Sequence, residues 1–266
     1  MSTIALTPLD LALAASLLAI NAAISWGFGL RLERSIAVAA ARMVVQLALI
    51  GLVLKLIFAQ TSPAWTLALV LVMAAAAGVE VVTRQHRRLK GWHALGLSSA
   101  TLLFIGVAIT SLGVGVIIGP EPWYAPRYVL PILGMVLGNA MTAMSLVLDT
   151  FCETLTRERA AIEARLALGA ERREAVSGAL RTSLRTGMTP ILNSMATTGI
   201  VALPGMMTGQ ILAGADPLEA VKYQILIMFL IAAATALAAF LGALGAMLLL
   251  TDKRHRLRLE RLAPTS

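Results

Sequence analysis

Polar and sulfur-containing side chains interrupt several long apolar segments of this sequence, and these residues could bind a cation. Ionisable and amide groups are costly at membrane depth and are often functional there, while thioethers are ligands for soft metals. The residues that we select as a candidate cation path are Glu80, Asn139, Met141, Met144, Asp149 and Asn193. A simpler interpretation stays open, since the two carboxylates can reach interfacial water and methionine is an ordinary core residue.

One long polar stretch, residues 153–187, separates two of the apolar segments and has the pattern of a charged amphipathic helix. The residues that could dock on a partner are Glu163, Ala164, Gly169, Ala170 and Glu174. Acidic and small residues followed by a glycine allow a helix to end sharply and a short second helix to follow. Such an element can fill a groove in a cytosolic partner. A basic helix resting on anionic headgroups is the alternative interpretation.

A third pattern surrounds a proline inside an apolar segment. Pro204 removes one backbone hydrogen bond and therefore predicts a kinked helix. The small residues around it are spaced by 4, 7 and 4 positions; they are Ser194, Thr198, Gly205 and Gly209. On one helix they would form a narrow stripe that lets membrane helices approach closely. We interpret the stripe first as a face for packing between helices. The functional interpretation is that this face lies at a dimer interface or a gate.

These patterns lie on helices that the composition predicts to span a membrane. Hydrophobic residues make up 58% of the 266 positions and charged residues only 14%, unlike soluble domains. Segments long enough to cross a hydrocarbon layer of roughly 30 Å recur along the chain. We predict one all-α permease domain over residues 1–266, with seven spans at 9–30, 36–58, 65–82, 94–118, 129–151, 189–212 and 224–250.

The distribution of charge predicts the topology of these spans. The net charge of +8 does not indicate a nucleic-acid partner, because 19 of the 22 Lys and Arg residues fall in alternate links and the C-terminal tail. Basic links stay on the cytoplasmic side, so we predict the N-terminus outside and the C-terminus inside. The single cysteine, Cys152, excludes an intrachain disulfide.

Catalytic signatures are missing from the sequence. No G-x-x-x-x-G-K-[ST] phosphate loop occurs, so we expect ATP and Mg²⁺ to bind a partner rather than this chain. Neither an H-E-x-x-H pair nor a G-x-S-x-G elbow is present, which argues against a membrane protease or esterase. The three histidines lie in or beside links, and we assign no metal site firmly.

Two sets of motifs resemble known transporter families. Glu163 and Ala164, with Gly169 six positions after the glutamate, resemble the E-A-A-x-x-x-G coupling loop of ABC permeases, which docks on an ATPase subunit; Arg165 departs from that motif. A longer match resembles the FetB-type permeases. It comprises R-M-V-V-Q-L at 42–47, G-M-V-L-G-N at 134–139 and L-P-G-M-M-T-G-Q-I-L at 203–212.

The FetB-type resemblance implies the membrane subunit of an ABC exporter linked to iron efflux and metal or oxidative-stress resistance. Plant relatives are tied to aluminium tolerance, with a nucleotide sugar proposed as cargo. The resemblance also implies two copies of the permease working with two copies of a cytosolic ATPase, in the bacterial inner membrane. The alternatives that we keep are a secondary transporter or channel without an ATPase, and an ABC importer permease fed by an external binding protein.

Overall fold

The computed structural model describes residues 7–58, 62–85, 89, 92–252 and 256–263. Within these ranges the protein is helical, and no strand is present among them. The chain divides into two compact units, of which unit 1 comprises residues 1–61 and 212–214 and unit 2 the remainder. The sequence-based prediction of a single permease domain stays a prediction, and we describe each unit by itself.

Unit 1 is a pair of helices, α1 (Pro8–Gly27) and α2 (Glu33–Phe58). Helix α1 begins with a capping box in which the Thr7 amide donates to Asp10 Oδ2 at 2.8 Å. This exchange satisfies amides that have no partner within a helix. The link between the helices closes on Ser25, whose hydroxyl accepts from the Leu32 amide at 2.9 Å and donates to Glu33 Oε2 at 3.3 Å.

Unit 2 contains the remaining helices. They are α3 (Pro63–Thr83), α4 (Trp92–Thr110), a π-helical continuation of α4 (Ser111–Ile118), α5 (Pro126–Arg157), α6 (Arg159–Ala167), α7 (Arg172–Ala175), α8 (Ser177–Thr197), α9 (Gly205–Leu212), α10 (Pro217–Leu250) and a 3₁₀ turn (Leu259–Arg261). Six helices of the described chain are long and apolar enough to cross a membrane: α1, α2, α3, α4 with its continuation, α5 and α10.

The core of unit 2 lies between α5 and α10. Small residues of α10 are buried against α5, with Ala239 and Ala243 in one cluster with Val147 and with Gly242 beside Met144. A Cβ added at Gly242 would lie 3.1 Å from Met144 Cγ, so the two helices pack closely there. Helix α5 has 32 residues and α10 has 34. At 1.5 Å per residue they are about 48 and 51 Å long, which exceeds a hydrocarbon layer of roughly 30 Å.

Three basic links of unit 2 lie at the same end. Leu89, after α3, forms an antiparallel bridge with Leu262, after α10. The Thr66 hydroxyl donates to the Tyr124 carbonyl at 3.4 Å, so α3 and α5 begin together and run in the same direction. The ends of α3, α5 and α10 therefore form one basic end of unit 2. Several predicted cytoplasmic residues lie outside the described residues: Arg87, Arg88, Lys90, Lys253 and Arg254.

The predicted continuous span at 189–212 is wrong. Helix α8 begins earlier, at Ser177, and ends at Thr197, while α9 begins only at Gly205. Gly199 turns the chain with φ +88°, and the Thr197 carbonyl accepts from the Val201 and Ala202 amides at 3.0 and 3.2 Å. Pro204 has no N–H and disfavours helix at the residue before it, and here the chain turns before the proline, whereas α5 and α8 continue through Pro131 and Pro190. The proline accompanies a full break rather than a kink.

Candidate functional site

The polar stretch after α5 folds into a helix–turn–helix whose pivot is Gly169. The Gly169 amide donates to the Leu166 carbonyl at 3.1 Å, and the Ala170 amide donates to the Arg165 carbonyl at 3.0 Å. These two bonds form a Schellman motif, which requires a left-handed residue after the helix. Gly169 has φ +93°, a conformation that side chains with a Cβ rarely adopt. The sharp turn expected at this glycine is present; its coupling role stays a prediction.

Buried apolar residues and one cation hold this turn in place. Ile162 of α6 is 1% exposed, and Ala175, the last residue of α7, and Val176 after it are fully buried. Arg165 Nη1 donates to the Ala175 carbonyl at 3.3 Å and so ties the two short helices together. Arg165 is the residue that departs from the E-A-A-x-x-x-G pattern, and here it braces the turn. Because Ile162 is buried, the short helices α6 and α7 pack on unit 2 rather than project freely from it.

The opposite side of the turn is open. Glu163 and Ala164 are exposed on α6, and Glu174 is exposed on α7. Arg159 pairs with Glu163 at 2.8 Å across one helical turn. Leu168, between the two helices, is 89% exposed. The predicted docking residues therefore lie in one small element, with an apolar side chain at its tip that is surrounded by charge. We call residues 159–175 the α6–α7 turn.

The residues of the predicted cation path lie on three helices of unit 2, α3, α5 and α8. Glu80 pairs with Arg84 at 3.2 Å at the basic end. The exposed Asn139 donates to the carbonyl one turn earlier, that of Met135, at 2.9 Å. Met144, in contrast, is fully buried against α10. The remaining members are Met141 and Asp149, half-buried on α5, and Asn193, exposed on α8. A role of these residues in transport stays a prediction.

The predicted small-residue stripe does not lie on one helix. Ser194 is on α8 and Thr198 follows its end, while Gly205 and Gly209 are on α9 beyond the break. A Cβ added at either glycine would meet nothing within 4 Å. Inside the described chain, therefore, no helix approaches these two glycines closely. The assumption of a continuous helix was wrong because residues 198–204 turn.

A cavity of about 520 Å³ lies where α8 breaks, between α8, α9 and α10. The residues that line it are Met195, Thr198, Gly199, Leu203, Met207, Val221, Gln224, Ile225, Met228 and Phe229. Gln224 is 6% exposed, and its side-chain oxygen has no hydrogen-bond partner. Among the described residues no group of three or more His, Cys, Asp or Glu side chains is placed to hold a metal ion. Three methionines line this cavity, Met195, Met207 and Met228, and Met228 also packs with Met135, Met188 and Met206 on a cluster of buried isoleucines.

Comparison with known proteins decides the family. The profile of UPF0014, described as an uncharacterised protein family, matches residues 8–249. The chain belongs to the UPF0014 family. It is similar to the Escherichia coli K12 protein named "Probable iron export permease protein FetB", at 33% identity over 253 residues that cover 95% of both chains. The resemblance to FetB-type permeases is thus confirmed, and this UPF0014 protein is a multi-pass membrane protein.

Two further relatives come from Synechocystis and Arabidopsis thaliana. The UPF0014 membrane protein slr1647 of Synechocystis is 38% identical over 207 residues, which cover 76% of this chain and 78% of that protein. The Arabidopsis thaliana protein named ALUMINUM SENSITIVE 3 is 35% identical over 213 residues, covering 80% of this chain and 76% of that protein. No solved structure matches the chain.

Several residues of these sites were missed by sequence reasoning. Leu168 sits directly before the glycine of the motif, and a position at the end of a short helix before a turn is a local signal of exposure. Ile162, in contrast, is buried by contacts distant in sequence. Gln224 was taken as the first residue of the last span, yet α10 begins seven residues earlier, at Pro217. Met228 gave no local signal, because only the fold brings it beside α8 and α9.

Proposed function

We propose that this UPF0014 protein is the permease subunit of an ABC transporter that exports iron or a related metal and is driven by a separate cytosolic ATPase. The observation that carries the proposal is the α6–α7 turn, which presents Leu168 at the basic end of unit 2. One apolar anchor on a rigid helical turn suits insertion into a groove of a soluble protein. The same residues match the coupling loop of ABC permeases.

The cargo and direction in this proposal come from the family. The E. coli relative is named a probable iron export permease, and it is aligned with nearly the whole chain. A metal exporter needs an energy source, and the sequence contains no phosphate loop of its own. In the proposal ATP and Mg²⁺ therefore bind to the ATPase subunit, and the α6–α7 turn transmits its movement.

We also propose seven membrane crossings, with α8 in place of the predicted span at 189–212. Helix α8 has 21 residues, so at about 31 Å it equals the hydrocarbon layer in length, although it is not one of the six helices that are apolar enough by composition. A Cβ at Gly187 would lie 2.3 Å from Val147 Cγ2, so α8 packs along α5 deep in unit 2. The basic end would face the cytoplasm of a bacterium, with the protein in its inner membrane. Reporter fusions after residues 119 and 214 should read outside, and those after 157 inside; the reverse readings would contradict this topology.

Two copies of the chain would enclose the transport path. The loop after α8 leaves large apolar side chains uncovered, with Ile200 89% and Val201 80% exposed. The open space at Gly205 and Gly209 allows close approach of another helix. A second copy is the partner that a membrane subunit of this type requires. Disulfide formation between copies of Ile200→Cys, in a Cys152→Ala background, would test this contact.

Co-purification with the ATPase tests the coupling. The chain would be expressed with candidate ABC ATPase subunits from the same genome, and ATP hydrolysis would be measured in nanodiscs with and without Fe²⁺. We expect Gly169→Val to abolish ATPase binding and metal-stimulated hydrolysis, because valine strongly disfavours φ +93°. Gly178→Val is the matched control, since that glycine is helical and a Cβ there meets nothing within 4 Å. The control should bind the ATPase like the natural protein.

Three outcomes would contradict the proposal. Full ATPase binding and transport by Gly169→Val would make the α6–α7 turn a simple surface element. Transport without any ATPase would favour a secondary transporter or channel. A requirement for an external binding protein would favour an importer permease.

A further inference from the structure

The cavity at the break of α8 has a lining that suits a soft metal ion. Methionines from three different helices line it, with Met195 on α8, Met207 on α9 and Met228 on α10. Gln224 lies one helical turn before Met228 and so shares its face of α10. We infer that Met195, Met207, Met228 and Gln224 form a binding site for a soft monovalent metal cation, Cu(I) or Ag(I).

The unpaired oxygen of Gln224 points to a missing ligand. The side chain is 94% buried, yet its Oε1 has no hydrogen-bond partner. Buried polar atoms are normally paired, and an exception calls for an explanation such as an absent ion. An amide oxygen is a neutral donor, so a cation beside it would recover the interaction that Gln224 lost on leaving water.

The methionines select the class of cation. Thioethers are soft, polarisable ligands that favour Cu(I), whereas Mg²⁺, Ca²⁺ and Mn²⁺ favour oxygen ligands, above all carboxylates. All the residues that line the cavity are uncharged. The nearest charged residues along α10, Glu219 and Lys222, pair with each other at 2.6 Å. A single positive charge is therefore cheaper to bury here than a double one.

An aromatic ring completes the lining. Phe229 lines the same cavity as the methionines, and a ring face attracts a monovalent cation. The cavity is open because the turn at Gly199 separates α8 from α9. A continuous helix would occupy this space. Metal binding at this site does not depend on the proposed function. A position of the site on the export path does rest on the proposed function.

Silver binding to the purified chain tests the inference. Ag⁺ affinity would be measured by calorimetry in nanodiscs, and Cu(I) affinity by competition with a chromophoric chelator under a reductant. Replacing Met195, Met207 and Met228 together by leucine keeps the side-chain volume nearly constant and should weaken Ag⁺ binding more than about 100-fold. Gln224→Leu should weaken it about 10-fold. The matched control replaces three methionines outside the cavity, Met43, Met73 and Met247, and should bind Ag⁺ normally.

X-ray absorption of the Ag⁺-loaded natural protein gives a readout that does not depend on the folding of a variant. We expect sulfur in the first coordination shell. A shell of only oxygen and nitrogen, natural affinity in the cavity triple variant, or displacement of Ag⁺ by equimolar Mn²⁺ would overturn the site. Co-purification of the ATPase tests the proposed function separately from the metal site. We expect the cavity triple variant to lose Ag⁺ binding and still bind the ATPase.

If neither the natural protein nor any variant binds an ATPase, while the natural protein still binds Ag⁺, the proposed function is contradicted and the metal site is supported.

Discussion

Two helix breaks of unit 2, at Gly169 and Gly199, lie on either side of α8 at glycines with positive φ, and they differ in their surroundings. Gly169 has φ +93° and Gly199 has φ +88°. Around Gly169 the neighbours are charged, and Arg165 and Ile162 fix the short helices to the unit. Around Gly199 most of the neighbours are apolar, and methionines from three helices line a cavity. The same backbone conformation therefore supports two different surfaces, because the side chains beside the turn decide what it can contact.

Helix α8 joins the two breaks. It begins two residues after α7 ends and finishes two residues before Gly199. Its middle packs closely on α5, where Gly187 faces Val147 and the Ala143 carbonyl. In the proposed function, a movement of the α6–α7 turn would reach the cavity through this one helix, a connected element of the kind that can carry coupling.

Substituting valine at each of the two glycines in turn should produce the largest effect. We expect Gly199→Val to lose Ag⁺ binding while it keeps the ATPase bound, and Gly169→Val to do the reverse. In each variant a β-branched residue is forced into a left-handed conformation, which disturbs its own turn first. The measurements are Ag⁺ calorimetry and ATPase co-purification on the same preparations. Equal losses of both properties in both variants would show that the two breaks are not separate sites.

The packing of α8 between the breaks can be tested by filling Gly187. A Cβ there would lie 2.3 Å from Val147 Cγ2 and 3.0 Å from the Ala143 carbonyl oxygen. We expect Gly187→Leu to lower the free energy of unfolding by about 1–3 kcal/mol, as for other overpacked sites. Thermal unfolding in detergent would measure the change. Gly178→Leu, on the same helix in open space, should leave the midpoint almost unchanged, and an equal shift in both variants would argue against close α5–α8 packing.

A carboxylate introduced at the exposed tip of each break should show which of the two contacts the ATPase. Leu168 and Ile200 are both 89% exposed. We expect Leu168→Glu to weaken ATPase binding about 10-fold, the effect of losing one interface anchor, because a carboxylate cannot enter an apolar pocket without desolvation. Ile200→Glu should leave the ATPase affinity unchanged. The affinities would be measured by titrating ATPase onto nanodisc-bound permease, and a similar loss in both variants would contradict the assignment of Leu168 as the anchor.

The smallest expected effect concerns the residue that departs from the coupling motif. Arg165→Ala removes the hydrogen bond of 3.3 Å to the Ala175 carbonyl, and that bond contributes about 1 kcal/mol or less. Hydrogen exchange of the α6–α7 turn should rise slightly, while thermal stability of the whole chain stays the same. Arg159→Ala, which removes only an exposed ion pair with Glu163, is the control. Unaltered exchange in Arg165→Ala would mean that the guanidinium does not brace the turn.

The sequence by itself determined the membrane character, the approximate positions of six spanning helices and the family. Long apolar runs and clustered Arg residues are local signals, because each helix satisfies its backbone hydrogen bonds within its own segment. Gly169 was predictable for the same reason, since a helix C-terminal turn depends on residues within a few positions of it. The motif at residues 203–212 identified the family, but it did not indicate that the helix before it ends at Thr197.

The tertiary structure alone decided where the sixth predicted span breaks and what gathers there. Apolar composition at 189–212 is equally compatible with a continuous helix, and only the contacts of α8 with α5 and α10 show where that helix lies and ends. Met195, Met207, Gln224 and Met228 are distributed over three helices, and no periodicity relates them. Their convergence depends on packing between distant segments, which is why the sequence showed methionines but not a cavity.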